Sequence, residues 1–141
     1  MASSANRSAF RNRGGKQIIV HGVSDPIFSI NDIMAWWDEL DAANGGKASE
    51  FVRLFAVPGM GHSLGGPTLT HWDAFGALVE WVERGVAPDR ILGRAGTHTP
   101  WQGRTRPLCP HPSQARYSGS GSIEDARNFT CTRIARDSST R

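Results

Sequence analysis

The chain reads as an α/β unit built on a parallel sheet, and three observations predict it. Gln17-Ile18-Ile19-Val20 is β-branched and unbroken by polar residues after Gln17, the pattern of a strand buried on both faces. A stretch with apolar residues at three- and four-residue steps follows it. The same pair then repeats, giving strand–helix–strand–helix, an order that places consecutive strands parallel through helical crossovers.

Each element has a local reason. Residues 1–13 are polar and predict a loose lead-in. His21-Gly22 closes the first strand. From Ser29 to Ala43 the residues Ile30, Ile33, Met34, Trp37 and Leu40 form one apolar stripe. Ser29 is the expected N-cap, Asp32 stands at the third helical position, and Asn44-Gly45-Gly46 is a stop signal. Phe51-Val52-Arg53-Leu54-Phe55-Ala56-Val57 predicts the second strand, ended by Pro58-Gly59. A Gly/Pro loop covers 63–69. The second helix is expected from about Thr70 to Arg84, with Trp72, Phe75, Leu78, Val79 and Val82 as its stripe and Gly85 just past its end. Ile91-Leu92 suggests a short further strand. Residues 97–131 are rich in Pro, Gly and Thr and predict an irregular extension; 132–141 predict a frayed tail.

The totals bound the rest. At 141 residues this is one domain at most. The net charge of +3 comes mainly from the two ends, with Arg7, Arg11, Arg13 and Lys16 at the start and Arg127, Arg133, Arg136 and Arg141 at the close. No basic block is interleaved with aromatics and no nucleic-acid-binding spacing occurs, so no nucleic-acid partner is expected. No apolar run approaches the roughly 20 residues of a membrane span. The opening residues lead into no apolar core of a signal peptide, which points to a cytosolic chain or a missing start.

Two short stretches carry the chemistry: His21-Gly22-Val23-Ser24-Asp25-Pro26 and Pro58-Gly59-Met60-Gly61-His62-Ser63. Each follows a predicted strand, and functional loops gather beyond the carboxyl ends of parallel strands. They supply an Asp and then a His, the order of the last two members of a Ser…Asp…His triad in α/β-hydrolases. An Asp there can accept the Nδ1–H of the His, fix its tautomer and stabilise the imidazolium. Read singly, an Asp-Pro after a strand is a turn starter and a His in a glycine-rich loop is an exposed side chain.

The nucleophile has a competing candidate. Gly61-His62-Ser63-Leu64-Gly65 satisfies G-x-S-x-G, so Ser63 could attack, with Asp73 or Asp89 and His98 or His111 as later partners. Against this, Gly66-Pro67 intervenes before the helix, and little chain remains to carry a triad. Cys109 and Cys131 in a Pro- and Gly-rich tail suit either a pinning bridge or two unrelated thiols.

The order of motifs resembles the C-terminal part of tannase and feruloyl esterase family proteins. The match runs through Ser8-Ala9-Phe10, Gly14-Gly15-Lys16, His21-Gly22-x-x-Asp25-Pro26 and Phe51-x-Arg53-Leu54-Phe55-x-Val57-Pro58-Gly59-Met60-Gly61-His62. It continues through Asp73-Ala74, Ala87-Pro88-Asp89-Arg90-Ile91, Arg104-Thr105-Arg106-Pro107-Leu108-Cys109-Pro110 and Asn128-Phe129-x-Cys131, covering roughly residues 8–131. The resemblance implies the C-terminal portion of an α/β-hydrolase sheet, residues 14–96, followed by a disulfide-pinned tail. It implies a serine carboxylesterase acting on aromatic-acid esters, with Asp25 as triad acid, His62 as general base and Cys109 paired with Cys131. The family's nucleophile, oxyanion groups and calcium-holding lid lie upstream, so no cofactor or metal is expected in this chain, and the chain alone is expected to be inactive. A secreted or periplasmic location is implied as well. Many members carry a Cys directly after the His; Ser63 stands there instead. The alternatives are a non-catalytic remnant or partner-binding half-domain, and a small lipase-like hydrolase using Ser63.

Overall fold

The structure is a computed structural model and describes residues 6–134. Its centre is the predicted parallel pair. Strand β1 (Gln17–Gly22) lies beside β2 (Val52–Val57), with Val20 opposite Phe55 and Gly22 opposite Val57. Helix α2 (Ile30–Ala43) connects them. It starts where Ser29 accepts a hydrogen bond from the Asn31 N–H at 3.1 Å, the expected cap.

Alternation along β1 and β2 divides the core in two. Ile19, Val52 and Leu54 face α2, packing with Trp37 and Leu40. Ile18, Val20, Phe55 and Val57 face the other way, with Trp72, Ala74 and Ala77 at the start of helix α3 (Ala74–Arg84). Leu54 and Phe55 are fully buried. Burial on that scale stabilises by about 1.5–3 kcal/mol per side chain. The buried Trp37 indole donates to the Val52 carbonyl at 3.2 Å, so its polar edge is satisfied.

Four expectations need correction. Residues 8–12 are not loose: they form helix α1 (Ser8–Asn12). Phe10 packs on the α2-side core, while the Arg7 and Arg11 guanidiniums lie over Trp36 and Phe51. Helix α3 begins at Ala74, not Thr70, with Asp73 accepting from the Gly76 N–H at 2.7 Å. Thr70 and His71 are instead held extended by backbone hydrogen bonds to Arg94. The predicted stripe of α3 does not face the sheet throughout. Phe75 is 78% exposed and Val82 60%, while Trp81 takes the buried position.

The fourth correction concerns 97–131, which is strand-rich. Strand β3 (Ile91–Arg94) pairs antiparallel with β4 (Thr105–Leu108), and β5 (Ser113–Tyr117) with β6 (Phe129–Arg133). The Cys109–Cys131 disulfide ties β6 to the end of β4, and Arg104 grips the Glu124 carboxylate through two hydrogen bonds of 2.6 and 2.7 Å. Apolar periodicity is absent here because backbone pairing and these cross-links do the ordering. Of the expected frayed tail, residues 132 and 133 belong to β6, and 135–141 lie outside the described residues.

The two edges of the central pair differ. On β2, Pro110 bridges Phe55 antiparallel and the His111 N–H reaches the Leu54 carbonyl at 2.7 Å. Among the described residues no strand lies on the other edge of β1. No described helix is long and apolar enough to cross a membrane.

Candidate active site

Parallel pairing brings the carboxyl ends of β1 and β2 to one edge, and both motifs follow them. From β1 the chain turns at Gly22. A β-carbon at that position would overlap the Met60 and Gly61 carbonyl oxygens, so the two loops meet only because a glycine stands there. The loop after β2 is closed on itself. Thr68, 4% exposed, donates its hydroxyl to the Pro58 carbonyl at 2.8 Å, and the Gly61 N–H reaches the Gly65 carbonyl at 3.0 Å. Gly59 and Gly66 adopt φ of 74° and 91°, and each would clash with the opposite limb if it carried a side chain.

These loops place His62 Nδ1 2.9 Å from Asp25 Oδ2. An ionised carboxylate only accepts, so Nδ1 carries the proton and Nε2 is left as the basic nitrogen. Asp25 Oδ1 is engaged separately, accepting the backbone N–H groups of Ile27 at 2.8 Å and Phe28 at 3.1 Å. The Asp25 side chain is only 4% exposed, whereas His62 is 43% exposed. Burial would raise the Asp25 pKa. The His62 hydrogen bond, the two backbone N–H groups and the His62 charge outweigh it and hold the carboxyl at about 2. The carboxylate is therefore charged throughout the neutral range, fixed by its own turn, and aligned on an imidazole whose other nitrogen makes no hydrogen bond among the described residues.

A cleft of about 570 Å³ opens at this point, lined in part by His21, Asp25, Phe28, Met60 and His62. The Phe28 ring lies 5.4 Å from the His62 ring. A second imidazole stands behind the pair: His21 Nε2 is 3.8 Å from Asp25 Oδ2. In the sequence His21 marks only the end of a strand. The signal that could have found it is its position four residues before the Asp, at the start of the turn.

The other candidates are dispersed. Ser63 follows His62 with φ of 63°, a left-handed conformation uncommon for a non-glycine residue. It leads into the loop and not into a helix. Asp73 caps α3, Asp89 lies 3.4 Å from Arg53, and His111 Nε2 is 3.1 Å from Asp38 Oδ1 on α2. Cys109 and Cys131 form a disulfide. Among the described residues no group of three or more His, Cys, Asp or Glu side chains could hold a metal ion.

A parallel strand pair between helices, with a carboxylate–imidazole pair past its carboxyl ends, is α/β-hydrolase-like architecture. The chain belongs to the tannase and feruloyl esterase family, whose model, described as "Tannase and feruloyl esterase", matches residues 1–132. The mono(2-hydroxyethyl) terephthalate hydrolase of Piscinibacter sakaiensis is 50% identical over 132 residues, which cover 92% of this chain and 22% of that protein. Feruloyl esterase B of Aspergillus niger is 31% identical, covering 89% of this chain and 27% of that one. Among solved structures, an esterase from Aspergillus oryzae superposes with a TM-score of 0.81 at 30% identity, covering 92% of this chain and 29% of that one. The chain thus spans less than a third of each of these relatives' lengths.

Proposed function

We propose that this chain supplies the acid and base of a serine carboxylesterase acting on esters of aromatic acids. The nucleophile would come from polypeptide beyond these 141 residues. The observation that carries the reading is the 2.9 Å Asp25–His62 contact past the ends of β1 and β2, in a chain of this family. His62 Nε2 would take the proton of a serine hydroxyl as its oxygen attacks the ester carbonyl. It would then return the proton to the departing alcohol, leaving an acyl-enzyme. Water, deprotonated by the same nitrogen, would release the acid. Asp25 holds the tautomer and balances the imidazolium charge.

Three features support an external nucleophile. Ser63 directly follows His62 in the same loop without a hydrogen bond to it among the described residues. Among the described residues the outer edge of β1 has no neighbouring strand, so it can accept one, which would end beside Asp25. The exposed Phe75 and Val82 give α3 a second apolar face for such a neighbour to cover. The aromatic-acid class is supported by the relatives named for terephthalate and feruloyl esters. The disulfide supports an oxidising, extracytoplasmic location.

A second reading, with Ser63 as nucleophile, has its left-handed φ of 63° in favour. A non-catalytic half-domain that binds a complementary chain is motivated by the same β1 edge. One experiment separates them. The chain is assayed alone on a p-nitrophenyl ester and a hydroxycinnamate ester, and again when it replaces the matched segment of the Piscinibacter sakaiensis hydrolase. Activity is expected only in the chimera, lost in His62→Ala and kept in Ser63→Ala. Turnover by the chain alone that Ser63→Ala abolishes would establish the second reading. A folded but inert chimera would favour the non-catalytic one.

A further inference from the structure

We propose that the cavity between α2, the loop after β2 and β4 is a second small-molecule site, which takes an aromatic carboxylate with its ring against apolar walls and its carboxylate on Arg106. The inference goes beyond the esterase reading and uses neither Asp25 nor His62. The cavity measures about 740 Å³, larger than the cleft of about 570 Å³ at His62. Small-molecule sites fall in the range of roughly 300–1,000 Å³ and combine apolar walls with a few polar groups.

Two elements partition the two volumes. The loop after β2 gives Met60, His62 and Ser63 to the catalytic cleft but Pro58, Pro67 and Thr68 to this cavity. The first turn of α2 divides likewise, with Asp32 and Ile33 on the cleft and Asn31 and Met34 on the cavity. The cavity walls are mainly apolar, with Met34, Leu69, Leu108 and Trp101 among them, and Trp101 is 37% exposed. Pro67, Pro107 and Pro112 add flat rings, which suit an aromatic body better than a branched one. The side-chain amides of Asn31 and Gln114 line the same space and make no hydrogen bond among the described residues.

One positive charge on this wall has no counter-ion. Arg104 commits its guanidinium to both oxygens of Glu124 and lies 4.3 Å from the centroid of the Trp101 ring. Arg106, two residues further on, forms no ion pair among the described residues. Its guanidinium lies 4.0 Å from the Phe129 ring centroid, and Nη1 donates to the Thr105 and Ile123 carbonyls. Its Nε and Nη2 make no hydrogen bond among the described residues. Those two nitrogens form the fork that grips a carboxylate through two parallel hydrogen bonds. Burial first, and the Arg104 charge second, lower the Arg106 pKa, with Glu124 opposing them. A half-buried guanidinium held beside a second one is stabilised by an added anion. Aromatic and apolar neighbours select an anion that carries a ring.

The test uses the 141-residue chain labelled with ¹⁵N and titrated with 4-hydroxycinnamate, its primary amide and acetate. The acid should shift the Trp101 indole and the amides of Asn31, Thr68 and Gln114 saturably. The neutral amide and acetate should each bind at least about tenfold more weakly, one for lack of charge and the other for lack of a ring. Arg106→Met keeps an apolar stem against Phe129 and should weaken the acid by a similar factor, with Arg106→Lys in between. The comparison of acid with amide reads the same contact in the unaltered chain, so it stands whether or not a variant folds. His62→Ala should bind as the wild type does, which separates this site from the esterase reading. Shifts confined to Asp25, Phe28 and His62, or equal binding of acid and amide, would overturn the inference and leave that reading standing. Calorimetry on the chimera should give the same affinity. Binding by the chain alone that vanishes in the chimera would mean that other polypeptide fills the cavity, which also overturns it.

Discussion

Gly22 and Gly61 lie backbone to backbone, with the Gly61 carbonyl occupying the space a β-carbon of Gly22 would need. This contact sets the distance between the loop that carries Asp25 and the loop that carries His62. Gly22→Ala forces the loops apart, because the obstructing atoms are backbone. Overpacking of this kind costs about 1–3 kcal/mol. The expected outcome is a folded chain in which the downfield Nδ1 proton of His62 is lost from the NMR spectrum. Retention of that signal would mean that the loops can separate without parting Asp25 from His62.

Asp25 makes the chain acid-sensitive in a defined window. Its carboxyl has an ordinary value of 3.8 and is held at about 2 in the fold. A depressed folded value contributes stability that is fully present above the unfolded value and lost as pH falls to the folded one. The urea midpoint should therefore decline between pH 3.8 and about 2. Glu124 and Asp125 are also lowered, through hydrogen bonds from Arg104 and Arg127, and add to the same slope. Asp25→Asn should make the decline shallower without abolishing it. An unchanged slope would show that Asp25 is not held in its charged form by the fold.

In the chimera with the Piscinibacter sakaiensis hydrolase, Asp25→Asn should lower kcat by on the order of 10⁴, the scale seen when a triad carboxylate is replaced by its amide. KM should change little, because the amide still fills the turn that Ile27 and Phe28 close. A loss of less than tenfold would remove Asp25 from the triad.

Much of the fold is legible in the sequence, for physical reasons. Residues 17–57 form a strand, a capped helix and a strand whose apolar residues pack on both faces of the pair, with β2 the more buried and β1 half-buried, so pattern and structure largely coincide. Asp25 and His62 stand out because the sheet delivers loops to one edge. The extension does not, because Arg104, Glu124 and the cross-linked cysteines order it without periodicity. The stripe on α3 is apolar as its spacing indicates but not wholly inward-facing, since Phe75 and Val82 are mostly exposed. His21 escapes notice because a histidine ending a strand carries no signal until its partner's turn is folded beneath it.

The disulfide should act locally. It spans 22 residues of sequence and joins the end of β4 to β6. A loop of that length corresponds to about 3 kcal/mol in the chain-entropy model. An isolated two-stranded hairpin is marginal in water. Reduction should therefore strip hydrogen-exchange protection from β5 and β6 while amides of β1 and β2 stay protected. Simultaneous loss in both regions would show that the extension and the parallel pair melt as one.

The strap that runs from β4 through Pro110 to His111 occupies the outer edge of β2. Lateral addition to the sheet is thereby made directional. Among the described residues, a newcomer strand finds its hydrogen-bonding template only on the β1 flank, the flank from which Asp25 emerges. Any parallel strand accepted there has its last residues delivered next to the carboxylate–imidazole pair. A proline, a histidine amide and a neighbouring disulfide would thus give any such addition a single direction of growth.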